Sequence, residues 1–126
     1  MAKLSEQMAM FNQPDACERV LKYIKGGYPL HTEAELKLFS LKNAQEVVKE
    51  YVKMGNLLCE EAQMLVFNLE NVKDILSEYV RRYSLSNRAQ MKMFDVERAF
   101  DVVRTYVQYH ALCEDAVKKW QAMDGK

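Results

Sequence analysis

Apolar residues recur along this chain at helical spacing, and the stripes they draw come in pairs. Ala34, Leu38 and Leu41 fall at i, i+4 and i+7, with Leu36 and Phe39 beside them, which makes one broad apolar face. After a short break, Ala44, Val47, Val48, Tyr51 and Val52 repeat the pattern. The breaks carry helix-start chemistry: Asp15 with Glu18, Asn43 with Glu46 and Asn71 with Asp74 stand at the N-cap and N3 spacing of a side-chain capping pair. Pro14, just before Asp15, disfavours continuation of the previous helix. A fourth break has Arg98 at the cap position and keeps only Asp101, which predicts two less cleanly separated helices there. Gly26-Gly27 and Gly55 suit left-handed helix ends, whereas Tyr83 and His110 at the corresponding later positions require another exit. The pattern predicts helices over 4–13, 15–25, 32–41, 43–54, 60–69, 71–83, 87–96, 98–109 and 113–123.

The pairs are copies of one unit. Phe11, Phe39, Phe67 and Phe94 are separated by 28, 28 and 27 residues, and so are Tyr23, Tyr51, Tyr79 and Tyr106. Ala16, Ala44, Val72 and Ala99 follow the same steps, as do Leu30, Leu58, Leu85 and Leu112, and Ala34, Ala62, Ala89 and Ala116. Two helices this short do not hold themselves together in water, so each hairpin needs its neighbours to cover its apolar stripes. The sequence therefore predicts one all-α domain over 1–126, a right-handed α-solenoid. It has about four helix–turn–helix repeats, at 4–29, 30–57, 58–84 and 85–111, and a C-terminal capping helix over 112–123.

Paired antiparallel helices in tandem resemble the α-solenoids of the HEAT, armadillo and tetratricopeptide class, over essentially the whole chain. The unit is shorter than theirs and lacks their signatures. The run Leu58-Cys59-Glu60-Glu61-Ala62-Gln63, followed by Phe67-Asn68-Leu69 and Asn71, is also similar to short repeats of uncharacterised bacterial proteins. Neither resemblance implies an activity or carries a functional residue.

Composition narrows the function classes. The 18 basic residues balance 18 acidic ones, so no overall field draws the molecule to nucleic acid or to an anionic membrane. No apolar run approaches the length of a membrane span, and the first residues lack a secretory layout. Three cysteines without such a leader read as reduced thiols in the cytoplasm. His31, Cys59, Ser86 and Cys113 occupy equivalent positions, which sets Cys59 and Cys113 two units apart, too far to share a zinc ion or a disulfide. The two histidines, His31 and His110, are nearly three units apart, and no phosphate loop or cofactor motif is present. The acidic column Glu18, Glu46, Asp74 and Asp101 reads as helix capping, and the Phe and Tyr columns read as core packing rather than as a stacking ladder for bases. Buried tyrosines still need a partner for each hydroxyl.

These readings predict a non-enzymatic protein–protein interaction scaffold without metal or cofactor, whose partner is an unidentified protein or peptide. Core columns stay constant between copies while other columns on the second helices vary. The varying positions give the candidate binding face: Lys49, Glu50, Lys53, Lys73, Ser77, Glu78, Arg81, Phe100, Arg104 and Gln108. Phe100, in a column otherwise made of Cys17, Gln45 and Lys73, is either a binding hot spot or a core adjustment to the missing cap at Arg98. The alternatives are a nucleic-acid-binding repeat, which Glu50 and Glu78 in the candidate groove oppose, and self-association through the final helix with Val117, Trp120 and Met123.

Overall fold

The computed structural model describes residues 3–124, Asp124 by its backbone alone. Among the described residues the chain is all-helical, with no strand. The helices are α1 (Leu4–Met10), α2 (Ala16–Lys25), α3 (Thr32–Lys37), α4 (Ala44–Lys53), α5 (Glu60–Val66), α6 (Val72–Val80), α7 (Asn87–Lys92), α8 (Ala99–Val107) and α9 (Glu114–Asp124). Helices α2, α4, α6 and α8 contact one another in that order, and so do α1, α3, α5, α7 and α9. The core lies between these two rows and is filled by recurring positions such as Val20, Val48, Leu76 and Val103 from the second helices and Ala34, Ala62 and Ala89 from the first.

The first helix of each pair is shorter than the apolar pattern predicts. Its last turn tightens to i→i−3 bonding, as a 3-10 helix at Leu38–Ser40 and Met93–Asp95 and as single turns at Phe11, Phe67, Asn68 and Leu69. Hydrophobic spacing reports which side chains face the core, and a tighter winding keeps Phe39, Phe67 and Phe94 packed there while ending the α-helix early.

Cap positions are placed as the pattern predicts, but the capping chemistry is not. Asp15, Asn43 and Asn71 immediately precede α2, α4 and α6, yet none of their side chains caps its helix. Their backbone sits near φ −104°, ψ 35°, φ −104°, ψ 38° and φ −94°, ψ 31°. An extended backbone is what aims a side chain back at the first turn. Instead, the Asp15 carboxylate takes the Arg19 Nε at 2.6 Å, a bond that holds this carboxyl below its usual range. Asn71 Nδ2 donates to the Gln45 carbonyl at 3.1 Å, reaching the preceding hairpin. The fourth break is as clean as the others. Arg98 adopts a left-handed conformation at φ 59° in a break of unchanged length, Phe94 to Ala99 matching Phe39 to Ala44. The residue lost from the shorter copies falls after the second helix, between Tyr79 and Leu85 and between Tyr106 and Leu112.

Helix exits follow two schemes. Gly27 and Gly55 have φ of 85° and 90°, the left-handed ends expected of them, while Gly26 is right-handed. In the later copies the exit side chains reach back to the previous hairpin. Tyr83 Oη donates to the Gly55 carbonyl at 2.7 Å, and His110 Nε2 meets the Val80 carbonyl at 2.7 Å. Arg82 Nη1 donates to the Val52 carbonyl at 3.1 Å. The Gly55 and Val80 carbonyls at the helix ends thus gain a donor from the next copy, while the Val52 carbonyl, which already accepts the Gly55 N–H at 2.9 Å, gains a second.

A Cβ at Gly55 would meet only the Arg82 side chain, at 3.9 Å, so the cost of Gly55→Ala is conformational. Urea denaturation is expected to show a loss of about 1–2 kcal/mol for that variant.

Candidate functional site

A second column of side chains, polar and buried, joins the copies. Gln7, Glu35, Gln63 and Gln90 follow the 28, 28, 27 steps and are the buried polar residues of the first helices. Each accepts a hydrogen bond from the backbone N–H that opens the next copy's first helix. His31 N donates to Gln7 Oε1 at 2.8 Å, Cys59 N to Glu35 Oε1 at 2.8 Å, Ser86 N to Gln63 Oε1 at 2.8 Å and Cys113 N to Gln90 Oε1 at 2.6 Å. The tyrosines perform the matching task inside each copy. Leu30 N donates to Tyr51 Oη at 3.2 Å, Leu58 N to Tyr79 Oη at 3.1 Å and Leu85 N to Tyr106 Oη at 3.1 Å.

The amide nitrogens tie the two columns together. Gln63 Nε2 donates to the Leu58 carbonyl at 3.1 Å and to Tyr79 Oη at 3.4 Å, and Gln90 Nε2 donates to the Leu85 carbonyl at 2.9 Å. Gln7 Nε2 donates to Tyr23 Oη at 3.0 Å and to the Pro29 carbonyl at 3.1 Å. Glu35 differs: it is 4% exposed and its second oxygen accepts from the Tyr51 hydroxyl at 3.3 Å. Burial pushes the Glu35 carboxyl above its usual range, against the opposing pull of the Cys59 N–H and the Tyr51 hydroxyl. Burial also raises the Tyr51, Tyr79 and Tyr106 hydroxyls, which keeps them protonated. The chemistry of this column is backbone satisfaction, and its groups are occupied.

The ten residues of the expected binding face lie in three settings. Lys53, Arg81 and Gln108 form one exposed column on the second helices. Lys49, Glu50, Ser77 and Glu78 are half-buried, because successive second helices flank them. The crevice between α6 and α8 is lined by Lys73, Leu76, Ser77 and Val80 on one side and Val102 and Thr105 on the other. Lys73 lies 3.8 Å from Asp101 across that interface, and Arg81 lies 3.8 Å from Glu78 on its own helix. Phe100 and Arg104 are exposed on α8. Of the two readings of Phe100, the buried one is removed: the ring is 41% exposed and stacks on Trp120 of α9 with centroids 5.0 Å apart.

Cys17, Cys59 and Cys113 are free and half-buried, and among the described residues no cluster of His, Cys, Asp and Glu is gathered around a metal position. No described helix is long and apolar enough to cross a membrane. Sequence reasoning missed the Gln7, Glu35, Gln63, Gln90 column. The signal was its constant step, directly after the alanine column, in an otherwise apolar stripe.

Two variants test the ladder. Tyr79→Phe leaves the buried Leu58 N–H without its acceptor and is expected to lower stability by about 1–3 kcal/mol in urea denaturation. Glu35→Gln supplies a donor toward the Leu30 carbonyl, as Gln63 and Gln90 do at their copies, and is expected to stabilise by about 1 kcal/mol at neutral pH. Because the folded Glu35 carboxyl titrates above its unfolded value, its contribution is full below the ordinary glutamate range and is lost as pH rises through the raised value. The variant's advantage over the parent chain should accordingly grow from about pH 4 upward and be absent below it. Compared with protein-family models, with curated proteins and with solved structures, the chain matches none.

Proposed function

We propose that the chain is a short right-handed α-solenoid that serves as a non-enzymatic scaffold for binding another protein. The observation that carries this reading is the contrast between two sets of columns on the same helices. Buried columns repeat their residue and their hydrogen bond from copy to copy, as at Tyr51, Tyr79 and Tyr106. The exposed columns change chemistry between copies, as from Arg81 to Gln108 or from Lys73 to Phe100. A stack whose interior is fixed and whose surface is individual at each unit is suited to recognising an extended or complementary partner. Binding rather than catalysis is favoured because the buried titratable groups, Glu35 and the tyrosines, already hold backbone N–H groups. The free thiols support a reducing, cytoplasmic setting as part of the same proposal.

The binding face is centred on α8, where Phe100 exposes an aromatic ring and Arg104 a guanidinium, the residue types that most often anchor interfaces. Affinity capture from the native cell with the parent chain and with Phe100→Ala and Arg104→Ala should recover one specific protein that both variants lose by tenfold or more, a change of about 1.4 kcal/mol. Recovery of the same proteins by all three chains overturns the assignment of this face. Recovery of RNA or DNA released by salt favours a nucleic-acid-binding repeat instead.

A further inference from the structure

The two ends of the helical stack differ in kind. At the α2 end, Arg19 occupies the position held by Val47, Ile75 and Val102 in later copies; those three are buried against the preceding second helix, whereas Arg19 pairs with Asp15 in solvent. A charged residue closes that end, as a terminal repeat requires. At the α8 end the internal chemistry continues without a cover. Ile24, Val52 and Val80 are 0%, 1% and 2% exposed, and the next residue of their column, Val107, is 37% exposed.

The α9 side agrees. Leu38, Val66 and Met93 are buried beneath the second helices of their own copies, and the corresponding Trp120 is only half-buried, leaning on Phe100. Leu30, Leu58 and Leu85 each give their N–H to a tyrosine hydroxyl of a second helix. Leu112 is the next residue of that column, and among the described residues α9 has no second helix to bring a hydroxyl to it. The end therefore has the surface, the spacing and the unmatched donor of a hairpin lacking one helix. It calls for one helix and not a longer array: Val117 stands where Gln7, Glu35, Gln63 and Gln90 stand, so α9 offers no acceptor to a further copy.

We propose that the open end formed by Phe100, Arg104 and Val107 of α8 with Val117 and Trp120 of α9 is a docking site for a single amphipathic helix of a partner protein, one bearing an acid and a tyrosine on its buried face. This deepens the scaffold reading and rests on it. The chemistry of the occupant is that of the helices that fill the same slot inside the molecule. Helix α4 enters with Glu46, Val47, Glu50 and Tyr51, and α6 with Asp74, Ile75, Glu78 and Tyr79. The acid at the Glu50 and Glu78 position lies across the slot from the column that ends in Arg104, judging from the Ser77–Thr105 crevice one copy earlier, so an acid there meets an exposed guanidinium. A second copy of this chain does not fit the requirement. Its α2, the one second helix with an uncovered leading face, would bring Arg19 where α4 and α6 bring Val47 and Ile75. It would also bring Lys22 where they bring Glu50 and Glu78, setting a cation against Arg104, and its α9 contains no tyrosine.

The test uses an end-blocked synthetic peptide carrying residues 71–84 of this sequence, labelled with a fluorophore and titrated with the full chain by anisotropy. Saturable binding is expected. It should be abolished by Val107→Asp, weakened about tenfold when the peptide carries Tyr79→Phe, and weakened about tenfold by Arg104→Glu in the chain. Arg104→Glu should in turn bind a peptide carrying Glu78→Lys better than the original one, which loss of folding cannot produce. Val107 and Arg104 are exposed, and circular dichroism should report an unchanged helical content for both variants. No saturable binding, or binding that Val107→Asp leaves intact (the peptide then displacing α6 in its own slot), overturns the proposal. So does a concentration-dependent dimer in sedimentation that Val107→Asp dissolves, which assigns the face to a second copy. Failure of the peptide while the captured protein is still lost with Phe100→Ala removes the helix and leaves the scaffold standing; failure of both removes the scaffold as well.

Discussion

Each copy after the first begins with two consecutive backbone N–H groups that its own helix cannot satisfy, such as those of Leu30 and His31. They lie at the junction between the rows of helices, where an unpaired donor costs about as much as several favourable contacts supply. The first is met by a tyrosine from the second helix of the same copy, the second by a glutamine or glutamate from the first helix of the copy before. One bond closes a hairpin and the other fixes its distance and rotation relative to its neighbour. Because an acceptor must lie within about 3 Å of its donor, the ladder sets the register of the stack more tightly than apolar contact alone.

That constraint explains which positions vary. Tyrosine recurs because only a long side chain with a terminal hydroxyl spans from the second helix to the opening of the first. The alanines Ala34, Ala62 and Ala89 recur at full burial beside the ladder, where a larger side chain would push the donors out of reach. Glu35 is the one departure: it keeps the acceptor oxygen but gives up the amide donor, and its buried carboxyl titrates high as a result. Val117 ends the series by removing the acceptor. Positions outside these columns are under no such demand, which is why Lys53, Arg81 and Gln108 can differ in charge without disturbing the frame.

The same logic separates the ends. Arg19 replaces an aliphatic residue on the face that no earlier hairpin covers, and its ion pair with Asp15 leaves that face well solvated. Val107 and Trp120 keep internal chemistry on a face that nothing in the described chain covers, and the Phe100–Trp120 stack covers it only in part. Surface of this kind on an otherwise charge-balanced molecule is where association with another protein removes the most apolar area from water.

The amino-acid sequence by itself determined the helices, their pairing and the copy length, since apolar spacing and the Phe and Tyr steps record which side chains face inward at every turn. It also marked Gly27 and Gly55 as left-handed ends, a backbone conformation for which glycine is the usual residue. Tertiary structure alone decided what the polar residues do. Asp15, Asn43 and Asn71 have the right type and spacing for caps, but none caps its helix. Asp15 turns to Arg19 of the helix it precedes, and Asn71 to the Gln45 carbonyl, a partner that depends on how neighbouring copies meet. Gln7, Glu35, Gln63 and Gln90 carry no sign along the chain of what they bond. They become the joints of the stack only because the following copy brings an N–H within 2.6–2.8 Å of them. Spacing encodes a helix's own period, whereas a hydrogen-bond partner some 24 residues away is fixed by the packing of two hairpins.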